Sequence, residues 1–257
     1  MIEPSNWSYY VKGQPVFTKP KRFILHKPES QEMTYILGSV CSDGVVLVAD
    51  KKVTMGDGVA FDYQEKIYGD FHGVIFGAAG SVGIYELLRY QIQDLVQGST
   101  SNPITKNNII QRLSAILHGL YREYRNEGEY CRILVSLKEY GRYNKLILLN
   151  YNGIPRTITK YMQIGSGEPY GNLIMRKLWK RSMSMERVAS LGYSAIKMIE
   201  KFELDNTVGV GRYKPTILYI PNNEDGDKEP GRNEWKTFKK NSDSFLENLN
   251  TVLRTSF

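Results

Sequence analysis

The chain has 257 residues, with 34 Lys plus Arg against 27 Asp plus Glu, a formal net charge of +7. Apolar residues make up 41% and charged residues 24%, globular values that exclude wholesale disorder, collagen and coiled coil. No apolar run approaches the roughly 20 residues that span a bilayer, and the first residues lack the basic start and apolar stretch of a secretory signal.

Residues 1–33 read as a polar leader in which Pro4, Pro15, Pro20 and Pro28 break any helix that would cover the segment. From Thr34 the pattern changes. YILGSVCS and GVVLVAD are apolar, β-branched runs, with Asp43-Gly44 between them as a hairpin signal. A second strand pair is expected around Lys66 to Tyr68 and Gly73 to Ala79, turning at Gly69-Asp70. Residues 81–96 read as a helix, with Val82, Tyr85, Leu88, Ile92 and Leu95 on one stripe. The loop GSTSNP breaks it, and a second helix is expected over about 106–127. Strands return at 132–137 and 145–150, followed by an Asn152-Gly153 turn and a strand in ITKYMQI. Helical segments are expected at about 169–181 and 185–201, the latter capped by Ser184. TILYI is the last strand, ending at Pro221. Beyond it, residues 222–257 open on a mixed-charge linker, and SFLENLNTVL reads as one or two amphipathic turns in a charged C-terminal extension.

This order, strands, two helices, strands, two helices, strand, does not suit a doubly wound sheet. It suits an α+β fold of two antiparallel sheets packed face to face with a helix pair outside each, a four-layer αββα sandwich spanning 34–221. Cys41 and Cys131 lie in strand-like runs and read as buried thiols in a reducing compartment. The basic residues are spread along the chain, without the stripe interleaved with aromatics that a nucleic-acid-binding domain presents.

Several chemistries lack their residues. There is no P-loop and no G-x-S-x-G elbow, and Gly209-Val210-Gly211 is only a fragment of a dinucleotide fingerprint. The three histidines, His26, His72 and His118, have no paired spacing, so neither a His-based metal site nor a Ser-His-Asp triad has its material. A base other than histidine is available in a chain's own α-amine, whose ordinary pKa of about 7.7–8.0 leaves part of it neutral near pH 7. An N-terminal Thr then carries nucleophile and base in one residue. Thr34 opens the first strand, Asp50 ends the second, and Lys66 follows the next turn. A buried Lys beside the Thr hydroxyl favours its deprotonation, and an Asp beside the Lys keeps the cation oriented.

The segment MTYILGSVCSDGVVLVADKKVTMGDG, followed by EKIYGDFHGVIFGAAGSVGIYELL, resembles the β-type subunits of the proteasome, which are N-terminal nucleophile hydrolases. The resemblance covers about residues 34–220, and Thr34, Asp50, Lys66 and Gly80 fall in the family's register without a gap. IGSG (164–167) is similar to the family's Gly-Ser-Gly turn and brings in Ser166, while Asp205, in LDNTVG, matches a late aspartate.

The resemblance implies a threonine-type endopeptidase. Thr34 Oγ would attack the scissile carbonyl, its own freed amine would shuttle the proton, and Lys66, held by Asp50, would sharpen the hydroxyl. Ser166 and Asp205 would hydrogen-bond around them, and the Gly80 N–H would line the oxyanion hole. Thr54 would pair with the extended substrate. Val53, Ala78 and Val82 would form the specificity pocket, with Gln64 and Tyr68 at its rim and a preference for cleavage after hydrophobic residues. No cofactor and no metal are implied. The implied setting is cytoplasmic, in stacked rings with other β-type and α-type subunits, fed with unfolded polypeptide and served by a regulatory ATPase, without nucleic acid or membrane. This sequence departs from the family at two residues and in one spacing, Ser166 lying about four residues later than the gap-free register gives, consistent with a loop insertion. Met33 stands where self-processing subunits carry Gly, and Val208 stands at a second late serine. A subunit that keeps its leader would be a silent structural member of the same ring.

Overall fold

A computed structural model describes residues 10–11, 14–15, 34–55, 60–69, 74–97, 106–124, 131–138, 144–205, 207–222 and 232–255. Within residues 1–33, β1 (Tyr10–Val11) and β2 (Gln14–Pro15) pair as a small antiparallel ladder. The next elements are β3 (Ile36–Val40), β4 (Gly44–Ala49), β5 (Lys52–Met55), β6 (Ala60–Tyr63), β7 (Ile67–Tyr68) and β8 (Val74–Gly80). Helices α1 (Val82–Gln97) and α2 (Lys106–Tyr124) precede β9 (Cys131–Leu137), β10 (Lys145–Leu149), β11 (Pro155–Ile158) and β12 (Tyr161–Ile164). Helices α3 (Glu168–Leu178) and α4 (Met185–Lys201), strand β13 (Thr216–Pro221) and helix α5 (Arg232–Thr255) complete the order.

A five-stranded sheet, β11-β10-β9-β8-β7, faces a four-stranded sheet, β12-β3-β4-β13, with every pairing antiparallel. The two-residue alternation of the strands splits their side chains between layers. On β4, Val45, Leu47 and Ala49 enter the apolar layer between the sheets, while Val46 and Val48 pack toward the helices. On β13, Leu218 and Ile220 face the other sheet, and Ile217 and Tyr219 face the helices. In the second sheet, Phe76, Ile133, Val135 and Ile147 pack against Leu88 and Ile92 of α1 and Leu113 and Leu117 of α2. The result is the expected four-layer αββα sandwich.

The details differ from expectation in several places. The hairpin register pairs Val40 with Val45, and the Cys41 N–H donates to Gly44 O at 2.8 Å, so the turn centres on Ser42-Asp43 rather than Asp43-Gly44. Gly44 instead begins β4, where a Cβ would stand 2.3 Å from Ile220 O and 2.6 Å from Met185 Sδ. Asp43 accepts from the Met185 N–H at 2.8 Å and Ser184 caps α4 through the Arg187 N–H, so both satisfy donors at that helix start. ITKYMQI is not one strand. The chain bends at Thr159 and Lys160 and passes from the edge of one sheet to the edge of the other. The structure adds a two-stranded β5–β6 ladder that the expected elements do not include. The Gly69-Asp70 turn and the end of the second helix fall partly outside the described residues. The helix expected over 169–181 stops at Leu178, where Trp179 turns extended.

The largest correction is at the C-terminus, where the expected one or two turns are a 24-residue helix, α5. Phe238, Ser242 and Leu246, four residues apart, form its buried stripe, and Phe238 and Leu246 join the same core cluster as α4. Trp235 packs edge-on against Phe238 and Tyr193, with the Lys214 ammonium 4.9 Å from its ring centre.

Candidate active site

Thr34 immediately precedes Tyr35 and β3, and the β3–β4 ladder sets Tyr35 opposite Asp50. The Asp50 N–H donates to Tyr35 O at 3.1 Å, and the Tyr35 N–H donates to Asp50 Oδ1 at 2.8 Å. The same Oδ1 accepts from the Thr34 hydroxyl at 3.0 Å and from the Lys66 ammonium at 2.8 Å. Asp50 Oδ2 accepts from the Gly209 N–H at 3.2 Å. All three side chains are buried, with Thr34 3% exposed, Asp50 0% and Lys66 6%. The hydroxyl and the cation therefore meet on one oxygen of Asp50, which accepts from both.

Lys66 lies just before β7, and its ammonium also donates to Lys52 O at 2.5 Å. Its approach depends on Gly77 of β8, the partner of Ile67, where a Cβ would stand 2.4 Å from Ile67 Cγ2. Burial pushes the Lys66 ammonium below the ordinary lysine value, against the pull of the Asp50 carboxylate. Burial likewise pushes the Asp50 carboxyl up, against Lys66 and the N–H groups of Tyr35 and Gly209.

The second part of the site is made of loops. Gly165 has φ +103°, in the region that favours glycine, and a Cβ there would stand 2.1 Å from Thr34 O. The Gly167 N–H donates to Thr34 O at 3.1 Å, and the Ser166 hydroxyl lies 3.5 Å from the same oxygen. Ser166 Oγ is 3.0 Å from Thr207 Oγ1, and Asp205 Oδ1 accepts from both the Thr207 hydroxyl (2.5 Å) and the Thr207 N–H (2.9 Å). Ser166 and Asp205 are thus joined through Thr207, which sequence reading did not single out. Nor did it single out Glu200 of α4, which accepts from the Val210 and Gly211 N–H groups at 3.0 and 2.7 Å and fixes the loop that carries Gly209. Burial pushes the Glu200 carboxyl up, but Lys197 and these two N–H groups outweigh it and hold it below the ordinary glutamate value. Gly209-Val210-Gly211 therefore serves this loop, and no nucleotide role is needed to explain its glycines.

Gly80 ends β8 at φ +134°, a conformation that sets the direction of the backbone before α1 begins. Val53 and Ala78 are buried, Ala78 with the α1–α2 cluster. Thr54 lies on β5 opposite Phe61, and Val82 is the first residue of α1; their side chains lie outside the described residues. Gln64 is half-buried and its N–H donates to Lys51 O at 2.8 Å. Tyr68 packs against Phe76 and Tyr85, with the Arg89 guanidinium 4.9 Å from its ring centre. Among the described residues, no group of three or more His, Cys, Asp or Glu is arranged to hold a metal ion, and no helix is long and apolar enough to cross a membrane.

Residues 33–210 match the family described as "Proteasome subunit". Among curated relatives, "Proteasome subunit beta" of Methanocella paludicola is 30% identical over 172 residues, 65% of this chain and 80% of the relative. "Proteasome subunit beta 2" of Sulfolobus acidocaldarius is 29% identical over 184 residues, 69% of this chain and 85% of the relative. Among solved structures, Anbu (ancestral beta-subunit) from Yersinia bercovieri superimposes with a TM-score of 0.71 at 13% identity, covering 86% of this chain and 97% of that one. At that identity the likeness speaks for the fold.

Proposed function

The chain belongs to the proteasome family, among its β-type subunits, and we propose that it is a threonine-type endopeptidase subunit with Thr34 as its nucleophile. The observation that carries this reading is the convergence of the Thr34 hydroxyl and the Lys66 ammonium on one buried oxygen of Asp50. A threonine in a strand end needs no buried ion pair beneath it, and burying one is costly unless it is fully bonded.

In this reading, cleavage of the Met33–Thr34 bond frees the Thr34 amine. Thr34 Oγ attacks the substrate carbonyl carbon, and its proton passes to the amine. The carbonyl electrons move onto oxygen, where the Gly80 N–H donates; one such donor is typically worth about 3 kcal/mol of barrier. As the C–N bond breaks, the amine returns the proton to the leaving nitrogen, and water hydrolyses the acyl-threonine by the same path in reverse roles. Lys66 favours the oxyanion of Thr34 and Asp50 holds Lys66. Thr54 offers its backbone to an extended substrate strand, and Val53, Ala78 and Val82, rimmed by Gln64 and Tyr68, favour cleavage after apolar residues. The subunit works in the cytoplasm inside rings of β-type and α-type subunits, fed with unfolded polypeptide by a regulatory ATPase.

A second reading, a silent subunit that keeps its leader, draws on two observations. Met33 adds a side chain at the bond to be cut, and Thr34 is only 3% exposed with its hydroxyl turned inward. One experiment separates the two. The intact mass of the chain in the purified particle is expected to begin at Thr34, and the particle to hydrolyse fluorogenic peptides ending in an apolar residue. Thr34→Ala is expected to abolish that turnover while the particle assembles as before. A chain still carrying Met33, with no turnover, leaves the silent reading standing.

A further inference from the structure

We propose that Thr207 is a positioning residue that fixes the direction of the Ser166 hydroxyl, and that it supplies the hydroxyl which Val208 lacks. The proposal rests on the reading of Thr34 as the nucleophile for its catalytic consequence, though not for its geometry.

The argument follows the protons. Each hydroxyl has one hydrogen, and a carboxylate only accepts. Asp205 Oδ1 stands 2.5 Å from Thr207 Oγ1, so Thr207 donates its hydrogen there. Its oxygen is then free to accept, and Ser166 Oγ stands 3.0 Å from it. Ser166 has a second acceptor in Thr34 O, at 3.5 Å. The shorter contact takes the single Ser166 hydrogen. The chain Ser166→Thr207→Asp205 therefore ends on the carboxylate, and Ser166 turns its lone pairs, not its hydrogen, toward residue 34.

The Val208 side chain takes no part. It is 1% exposed and belongs to the core cluster with Tyr35, and its Cγ2 lies 3.1 Å from where a Gly167 Cβ would stand. The hydroxyl of the loop has thus moved one residue toward the N-terminus, and the turn that bonds the Val208 N–H to Asp205 O at 3.3 Å aims residue 207 at Ser166.

In the reading where Thr34 carries a free amine and Ser166 bonds around it, a Ser166 lone pair turned toward that amine stabilises its protonated form and raises its pKa. Removing the Thr207 hydroxyl frees the Ser166 hydrogen to turn to Thr34 O, which lowers that pKa. The test compares wild type, Thr207→Val and Thr207→Ser in the assembled particle, by crystal structure and by the pH profile of peptide hydrolysis. In Thr207→Val, Ser166 Oγ is expected to swing toward Thr34 O. The acid limb of kcat/KM is expected to move down by about half a pH unit, with kcat about tenfold lower at unchanged KM. Thr207→Ser is expected to restore both. A Ser166 that keeps its rotamer in Thr207→Val overturns the proposal, and so does an unmoved acid limb in an active particle. A wild-type particle without turnover defeats the protease reading instead, and the Ser166 rotamer still decides this one.

Discussion

Asp50 and Lys66 hang from the ends of ladder strands, whereas Ser166, Asp205 and Thr207 sit on loops, and the two halves of the site hold their shape by different means. Strand register carries the first half: Tyr35 stands opposite Asp50 in the β3–β4 ladder, and Ile67 opposite Gly77 in β7–β8. These groups are buried, and the bonds of the Asp50 carboxylate and the Lys66 ammonium tie their ends to the same ladders. The loop half has no ladder. It is held by Gly165 pressed against Thr34, by the Gly167 N–H bonded to Thr34 O, by Asp205 bonded to its own turn, and by Glu200 gripping the Val210 and Gly211 N–H groups. The ladder half is therefore costly to break, and the loop half is easier to alter.

The strongest challenge to that contrast is Lys66→Met. It leaves the Asp50 carboxylate buried without its cation, a change that typically costs about 3–5 kcal/mol. Denaturant unfolding of the assembled protein is expected to show a loss of that size together with loss of peptide turnover. A variant as stable as wild type would mean that the pair is not buried as described.

Gly165→Ala probes the contact between the halves. A Cβ at φ +103° would stand 2.1 Å from Thr34 O and 2.6 Å from both Thr34 C and Thr34 Cγ2, so residue 34 itself is what it pushes against. The expected cost is about 1–3 kcal/mol, read as a lower thermal midpoint, with turnover reduced because Thr34 must shift. Unchanged turnover would separate the Gly-Ser-Gly turn from the site.

Glu200→Gln is expected to be the mildest. Losing a charged acceptor that is only half-buried costs about 1 kcal/mol, and the effect depends on pH. The folded-state pKa of Glu200 lies below its ordinary value, so its contribution is full above that ordinary value and is lost as pH falls through the lowered one. Wild type is expected to lose stability over that acidic window, and Glu200→Gln to lose less of it. Parallel pH curves for the two proteins would show that the loop does not depend on the carboxylate.

Much of this molecule could be read from its residues. The continuous apolar runs of β3, β4 and β8 announced buried strands, and the apolar stripe of α4, with Ser184 before it, announced a capped helix. Thr34, Asp50 and Lys66 were picked out because their chemistry fits an amine-based nucleophile, and their spacing matched a family register. Other features carried no local signal. Thr207 looks like any loop threonine, and Glu200 like a charge on the last turn of a helix. The α5 helix was hidden in a polar, mixed-charge stretch, since Phe238, Ser242 and Leu246 make a narrow stripe with a hydroxyl in its middle.

The sequence by itself determined the main blocks of strands and helices between β3 and β13, the four-layer sandwich and the identity of the charged groups at its strand ends, because hydrophobic period and turn chemistry are local properties of the chain. Tertiary structure alone decided that the Thr34 hydroxyl and the Lys66 ammonium meet on one oxygen of Asp50, that ITKYMQI divides between two sheets, and that Thr207 links Ser166 to Asp205. Those outcomes depend on distances between segments far apart in the chain, and such distances are set only when the two sheets close on their shared apolar layer and expel water from the groups trapped at its edge.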